Sequence, residues 1–199
     1  MTGAGQGGTM FPLPAPMRAA LDAAIQAGLA GEVPVGAVVV QGGTIIATGA
    51  NAPRRLHDPT AHAEIQAIRA AALALGRDRL EDCELWVTLE PCAMCAGAIA
   101  HARIARLYYA ASDPKGGAVE HGPRFFGQPT CHHRPEVYAG IGEGRPLTCS
   151  ATSLRCDDRA ASGALAIMEE ANQQHRDNGA HSADDARTER GVGRNLPCI

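Results

Sequence analysis

Ala, Leu and Ile recur at helical spacing over residues 17–29 and stop at Gly31, which predicts a first helix. The next apolar run covers residues 33–40, and a second β-rich run covers 44–48. Gln41-Gly42-Gly43 joins them, so the pair predicts a β-hairpin with a glycine turn. Residues 51–59 hold two prolines, two arginines and the pair His57-Asp58, a loop pattern in which an Asp before Pro59 fixes the chain locally. Residues 61–75 are rich in Ala, Ile and Leu and end at Gly76, the pattern of a helix with a glycine stop. Residues 84–89, Glu-Leu-Trp-Val-Thr-Leu, read as a strand. Pro91 then opens a helix over 92–102, and 106–111 reads as another strand before the turn Asp113-Pro114-Lys115-Gly116-Gly117. Strands alternating with helices predict an α/β protein with a layered sheet.

The two ends of the chain break this pattern. Residues 1–16 are Gly- and Pro-rich and read as a flexible leader. Beyond about Gly144 the character changes again: 160–171 has a helical composition, whereas 172–194 is almost wholly polar or small and is expected to stay disordered. The chain thus divides into a leader (1–16), one compact domain (17–144) and an atypical tail (145–199).

Composition narrows the function classes. A chain of 199 residues with 45% apolar content can bury a core of its own. Its longest apolar run has eight residues (33–40), against the roughly 20 needed to cross a bilayer. The first residues show neither a basic nor an apolar export region, so a cytoplasmic protein with no membrane partner is expected. A net charge of −3 gives no electrostatic case for a duplex binder, so an RNA partner would be held by a local patch. Seven cysteines, at 83, 92, 95, 131, 149, 156 and 198, are odd in number and uneven in spacing, which points to thiols or metal ligands rather than a disulfide framework.

Two short strings carry the chemistry. His62-Ala63-Glu64 falls at the start of one predicted helix and Pro91-Cys92-Ala93-Met94-Cys95 at the start of the next. Cys92 and Cys95 share a first helical turn, so both sulfurs point to one side, and the positive end of the helix favours the metal-binding thiolate. His62 supplies a third ligand. Three protein ligands leave one tetrahedral position open, the mark of a catalytic zinc, where water becomes acidic near neutral pH. Glu64, two residues from His62, is placed beside that position to carry a proton to the substrate. Cys-x-x-Cys alone is more often a redox pair or half of a structural zinc site. A thiol redox protein using Cys92 and Cys95 would leave His62 and Glu64 without a role, and a structural site lacks a well-placed fourth ligand. Taken together, the two strings match the signature of zinc nucleobase deaminases.

The resemblance is wider than the two motifs. Glu32 to Val38, Asn51, Asp58 to Ile65, Val87 to Ile99 and Asp113 to Ala118 all resemble the bacterial tRNA-specific adenosine deaminase family, over roughly residues 17–143. The resemblance implies a cytidine-deaminase-like α/β fold of three layers, with a mixed five-stranded sheet and helices on both faces. It implies a homodimer with one Zn2+ per subunit, held by His62, Cys92 and Cys95, and Glu64 as the proton shuttle. It also implies hydrolytic conversion of the wobble adenosine of an arginine tRNA to inosine, with the anticodon stem-loop as partner. Asn51 resembles a base-contacting asparagine, and Asp113, Lys115 and His133 match positions near the anticodon nucleotides. Arg54 and Arg55 are candidates for phosphate contact. A sister deaminase of free bases or nucleosides shares both motifs and is the nearest alternative.

Two stretches depart from the family pattern. Cys131-His132-His133-Arg134 carries His132 where an asparagine is usual, and its Cys-His-His run also reads as a weak second metal site. Further on, the family closes with an amphipathic helix ending in arginines, whereas this chain has Leu147-Thr148-Cys149-Ser150 and then Leu154-Arg155-Cys156-Asp157-Asp158. Read two bases later, any codons for Cys156-Asp157-Asp158 give arginine or stop at each shifted position. We therefore expect a frameshift near Gly144 that makes 145–199 non-native. Resequencing the DNA across that point should reveal the shift, and a clean read in the present frame would contradict it.

Overall fold

The computed structural model describes residues 13–141, so the expected tail and its helix over 160–171 lie outside the described residues. Helix α1 (Ala15–Leu29) leads into the hairpin β1 (Gly36–Gln41) and β2 (Thr44–Ala50). A one-turn helix α2 (Pro53–Leu56) and helix α3 (Ala63–Leu75) follow, then β3 (Cys83–Leu89), α4 (Ala93–Ala102), β4 (Arg106–Ala111) and β5 (Glu136–Tyr138). Helix α1 begins two residues earlier than its periodicity predicts, with Leu13 already buried ahead of it.

The strands form one five-stranded sheet in the order β2-β1-β3-β4-β5. Strand β1 pairs antiparallel with β2 and β3, while β3, β4 and β5 run parallel, so the sheet is mixed. At the hairpin turn Gly42 and Gly43 both have positive φ, +54° and +81°, which two consecutive left-handed positions require. Strand β1 is buried on both faces, and its alternate residues enter two separate clusters. Ala37 and Val39 join Leu85, Val87, Leu107 and Tyr109 beneath α3 and α4. Val38 and Val40 join Trp86 and Ala110 beneath Met17, Ala20, Leu21 and Ala24 of α1. A continuous apolar run such as Ala37-Val38-Val39-Val40 is what a central strand covered on both sides needs. The result is the expected three-layer α/β arrangement, helix, sheet, helix.

Three elements escape the sequence pattern, one of them a short 3-10 turn at Phe125–Gly127. Strand β5 has three exposed residues and no alternation to read. Its register is set by pairing Arg106 with Glu136 and Tyr108 with Tyr138, and Trp86, Tyr108 and Tyr138 stack with ring centroids 3.9 and 4.7 Å apart. Within the expected loop 51–59, Pro53 opens α2, and the Glu32 carboxylate accepts the Arg54 and Arg55 amides at 3.4 and 2.8 Å. Asp58 fixes the following turn by accepting from the Thr60 amide and hydroxyl at 2.8 and 2.7 Å.

Helix α3 lies directly on β2 at Gly49. A Cβ there would fall 2.1 Å from the Ala63 carbonyl oxygen and 2.6 Å from the Ala67 amide nitrogen, so only glycine lets the helix start this low over the sheet. Gly49→Ala should therefore lower stability by about 1–3 kcal/mol, the usual cost of overpacking, read as a lower thermal midpoint. An unchanged midpoint would contradict the close approach.

Candidate metal centre and active site

Helices α3 and α4 begin at the same end of the sheet, and the candidate ligands sit at those two starts. His62 is the residue capping α3 and Cys92 the residue capping α4, both in extended backbone, while Cys95 lies in the first turn of α4. Gly49 seats the start of α3, and α4 leaves the carboxyl end of β3, where α/β sheets place their sites. His62 Nδ1 lies 3.7 Å from Cys92 Sγ and 3.6 Å from Cys95 Sγ. A tetrahedral zinc with its usual bond lengths to sulfur and nitrogen separates those atoms by about 3.6 Å. The donor set fits the ion. Among the described residues, this is the group of His, Cys, Asp or Glu donors close enough together to hold a metal.

The electrostatics of the three groups suit a cation. The Cys92 thiol is held down to about 4, first by a hydrogen bond from the Cys95 thiol and then by His62. Cys95 is pushed up by that same bond and by burial, since two adjacent sulfurs resist carrying negative charge together. His62 is raised by its contact with Cys92. Two thiols and an imidazole that hold protons at one another's expense are relieved by a divalent ion.

The remaining candidates gather with few exceptions. A cavity of about 630 Å³ is lined by His62, Glu64, Cys92, Asn51, Asp113 and Lys115, with Arg54 and Glu32 also on its wall. Glu64 is 4% exposed, and burial raises its pKa above the ordinary carboxylate value. Asn51 is buried and its backbone N–H donates to the Val35 carbonyl at 3.0 Å. Asp113 folds its carboxylate back on the Lys115 and Gly116 amides at 3.1 and 3.0 Å, which shapes the turn that Lys115 occupies.

His133 does not join this group. It is not among the cavity-lining residues, and its Nε2 lies 2.7 Å from the Ile104 carbonyl oxygen. The adjacent run forms no second metal site either, because the Cys131 thiol is turned to the His133 carbonyl at 3.0 Å. Adjacent residues point apart, and here the Cys131 and His133 side chains each find a backbone partner.

Two buried carboxylates at the cavity wall, Glu32 and Glu90, escaped sequence reasoning. Each is an isolated acidic residue beside an apolar run, with no spacing rule to mark it. Their signal was their place inside the family-like runs, Glu32 at the head of Glu32–Val38 and Glu90 immediately before Pro91-Cys92 in Val87–Ile99, which assigned them no role.

Fold and site together define a zinc-dependent deaminase domain, and residues 14–111 match the cytidine and deoxycytidylate deaminase zinc-binding region. Over 127 residues the chain is 61% identical to the tRNA-specific adenosine deaminase of Agrobacterium fabrum, covering 84% of that protein and 64% of this one. It is 49% identical to the corresponding protein of Rickettsia bellii, again over 127 residues, covering 88% of that protein and 63% of this chain. A solved structure from work on A-to-I editing by tRNA:A34 deaminases at the wobble position of transfer RNA superposes with a TM-score of 0.62 and 61% identity. That match covers 96% of the solved chain and 63% of this one. The chain belongs to the tRNA-specific adenosine deaminase family.

A thiol with a pKa near 4 is already thiolate at pH 6, whereas one raised by burial is not. In metal-free protein at pH 6, peptide mapping after brief iodoacetamide treatment should find Cys92 alkylated well ahead of Cys83, whose thiol is pushed up to about 11, and of Cys95. Added zinc should block the reaction at Cys92. Equal labelling of Cys92 and Cys83 would refute the assigned electrostatics.

Proposed function

We propose that this protein hydrolyses the wobble adenosine of an arginine tRNA to inosine and ammonia, in the cytoplasm and as a homodimer. The observation that carries the reading is the buried Glu64 carboxyl in the same cavity as His62 and Cys92, with Cys95 completing the metal group. Identity of 61% over 127 residues with a tRNA-specific adenosine deaminase supports tRNA over a free base as substrate.

His62, Cys92 and Cys95 would hold the zinc ion, which when bound supplies a Lewis acid that brings the pKa of water close to neutrality. The rest of the chemistry falls to the chain. Glu64 takes a proton from water as the water oxygen bonds to C6 and delivers that proton to N1 of the adenine ring. It then takes the remaining hydroxyl proton and passes it to the C6 amino group, so that the C6–N bond breaks and ammonia leaves inosine behind. Burial suits it to this task, because raising the pKa of a carboxyl makes its carboxylate a better acceptor of the proton it must later release. Asn51 orients the base from the opposite loop, and the Asp113–Lys115 turn meets the nucleotides that flank it. Arg54, on the rim, offers a cation to the RNA backbone, so binding should weaken with salt. Any contact of His133 with RNA falls outside the base pocket. An anticodon loop offers unpaired bases that leave the stack at small cost, which lets a protein of net charge −3 bind it without a large basic surface.

Glu64→Gln should retain its zinc and lose deamination of an arginine tRNA anticodon stem-loop by at least about a hundredfold, as removal of a proton carrier requires. Wild-type protein should release ammonia from that RNA and not from cytidine or guanine. Turnover of the free compounds, with none on the RNA, would overturn the substrate assignment. Preserved activity in the Gln variant would remove Glu64 from the reaction.

A further inference from the structure

Glu90 lies between β3 and Pro91-Cys92, and its side chain is wholly covered. The residue borders the cavity with its side chain turned inward, and its carboxylate is saturated with donors from a single loop. Oε1 accepts the amides of Val119, Glu120 and His121 at 3.0, 2.9 and 3.0 Å. Oε2 accepts the Asp113 amide at 3.0 Å and lies 2.7 Å from His121 Nδ1. A carboxylate offers about four lone-pair sites, so these contacts use its full capacity.

The arrangement closes the loop over 113–121 into a ring around one side chain. The Gly117 amide donates to the Asp113 carbonyl at 2.9 Å, and the Ala118 amide to the Pro91 carbonyl at 2.9 Å. Gly117 is packed against the carboxylate itself: a Cβ there would fall 2.5 Å from Glu90 Cδ and 2.5 Å from the Asp113 carbonyl oxygen. Asp113, Lys115 and Gly116, from the same loop, line the cavity that holds His62, Glu64 and Cys92.

We propose that Glu90 is a positioning residue for substrate: it holds the 113–121 loop as a wall of the cavity, so that affinity depends on it while metal retention and the chemical step do not. The kinetic part rests on the deaminase reading above. Charge-assisted bonds to a buried carboxylate are among the stronger ones, and a loop released from them loses its fixed shape before the sheet beneath is affected.

The test uses full-length zinc-loaded protein in three variants, Glu90→Ala, Glu90→Gln and Gly117→Ala. Glu90→Ala should raise KM for the anticodon stem-loop at least about tenfold with kcat within about threefold of wild type, the signature of lost binding rather than lost transition-state stabilisation. Glu90→Gln keeps one acceptor oxygen for the three successive amides and should fall between wild type and the Ala variant. Gly117→Ala presses a methyl group on the same carboxylate from the loop side. It should show the same KM pattern, which decides the matter if the Glu90 variants do not fold. Amide hydrogen exchange should speed up across 113–121 in each variant, with zinc content unchanged. A fall in kcat at constant KM, zinc loss in Gly117→Ala, or unaltered exchange across 113–121 would overturn the proposal. Wild-type protein that forms no inosine would instead defeat the functional reading, and the exchange measurement would still judge Glu90.

Discussion

The site depends on bringing a nitrogen and two sulfurs from two helix starts to separations set by one metal ion. Each of the three is poor company for the others without a cation. Cys92 is held as thiolate, Cys95 is driven to keep its proton, and His62 is drawn toward the charged form. That tension is useful at a metal site, because the ion replaces the shared protons and turns mutual repulsion among donors into coordination. Separations of 3.6 and 3.7 Å are available because the backbone at two helix starts, not the side chains alone, is held in place.

Two devices hold those starts. Gly49 lets α3 descend on β2 until backbone meets backbone, which fixes His62 and Glu64 relative to the sheet. The parallel pairing of β3 with β4 carries α4 across the same face and puts Cys92 at its beginning. Two buried carboxylates then secure the irregular chain around the site. Glu32 accepts the first amides of α2, and Glu90 gathers the loop over 113–121. Loops that bind a flexible substrate need such anchors, since their own side chains contribute little packing.

Much of this was legible in the sequence because it is written in local chemistry. The hairpin shows in Gly42-Gly43, α3 in its Ala- and Leu-rich run to Gly76, and the metal group in His62, Cys92 and Cys95 at two helix starts. What escaped is set by tertiary context. Strand β5 is three exposed residues that become a strand only by pairing with β4, and α2 is a single turn made by Pro53 and an acceptor from Glu32, some twenty residues away. His133 illustrates the same limit from the other side. The resemblance places it near RNA, and in the fold its Nε2 meets the Ile104 carbonyl just beyond the end of α4, apart from the cavity-lining residues. Nothing in the spacing of Cys131, His132 and His133 could show where those side chains turn.

Zinc K-edge X-ray absorption on catalytically active protein tests the central claim most directly. The account predicts one zinc per chain with two sulfurs at about 2.3 Å, one nitrogen, and one light-atom ligand from solvent. A shell of four protein donors, or an active protein with no zinc at all, would contradict it.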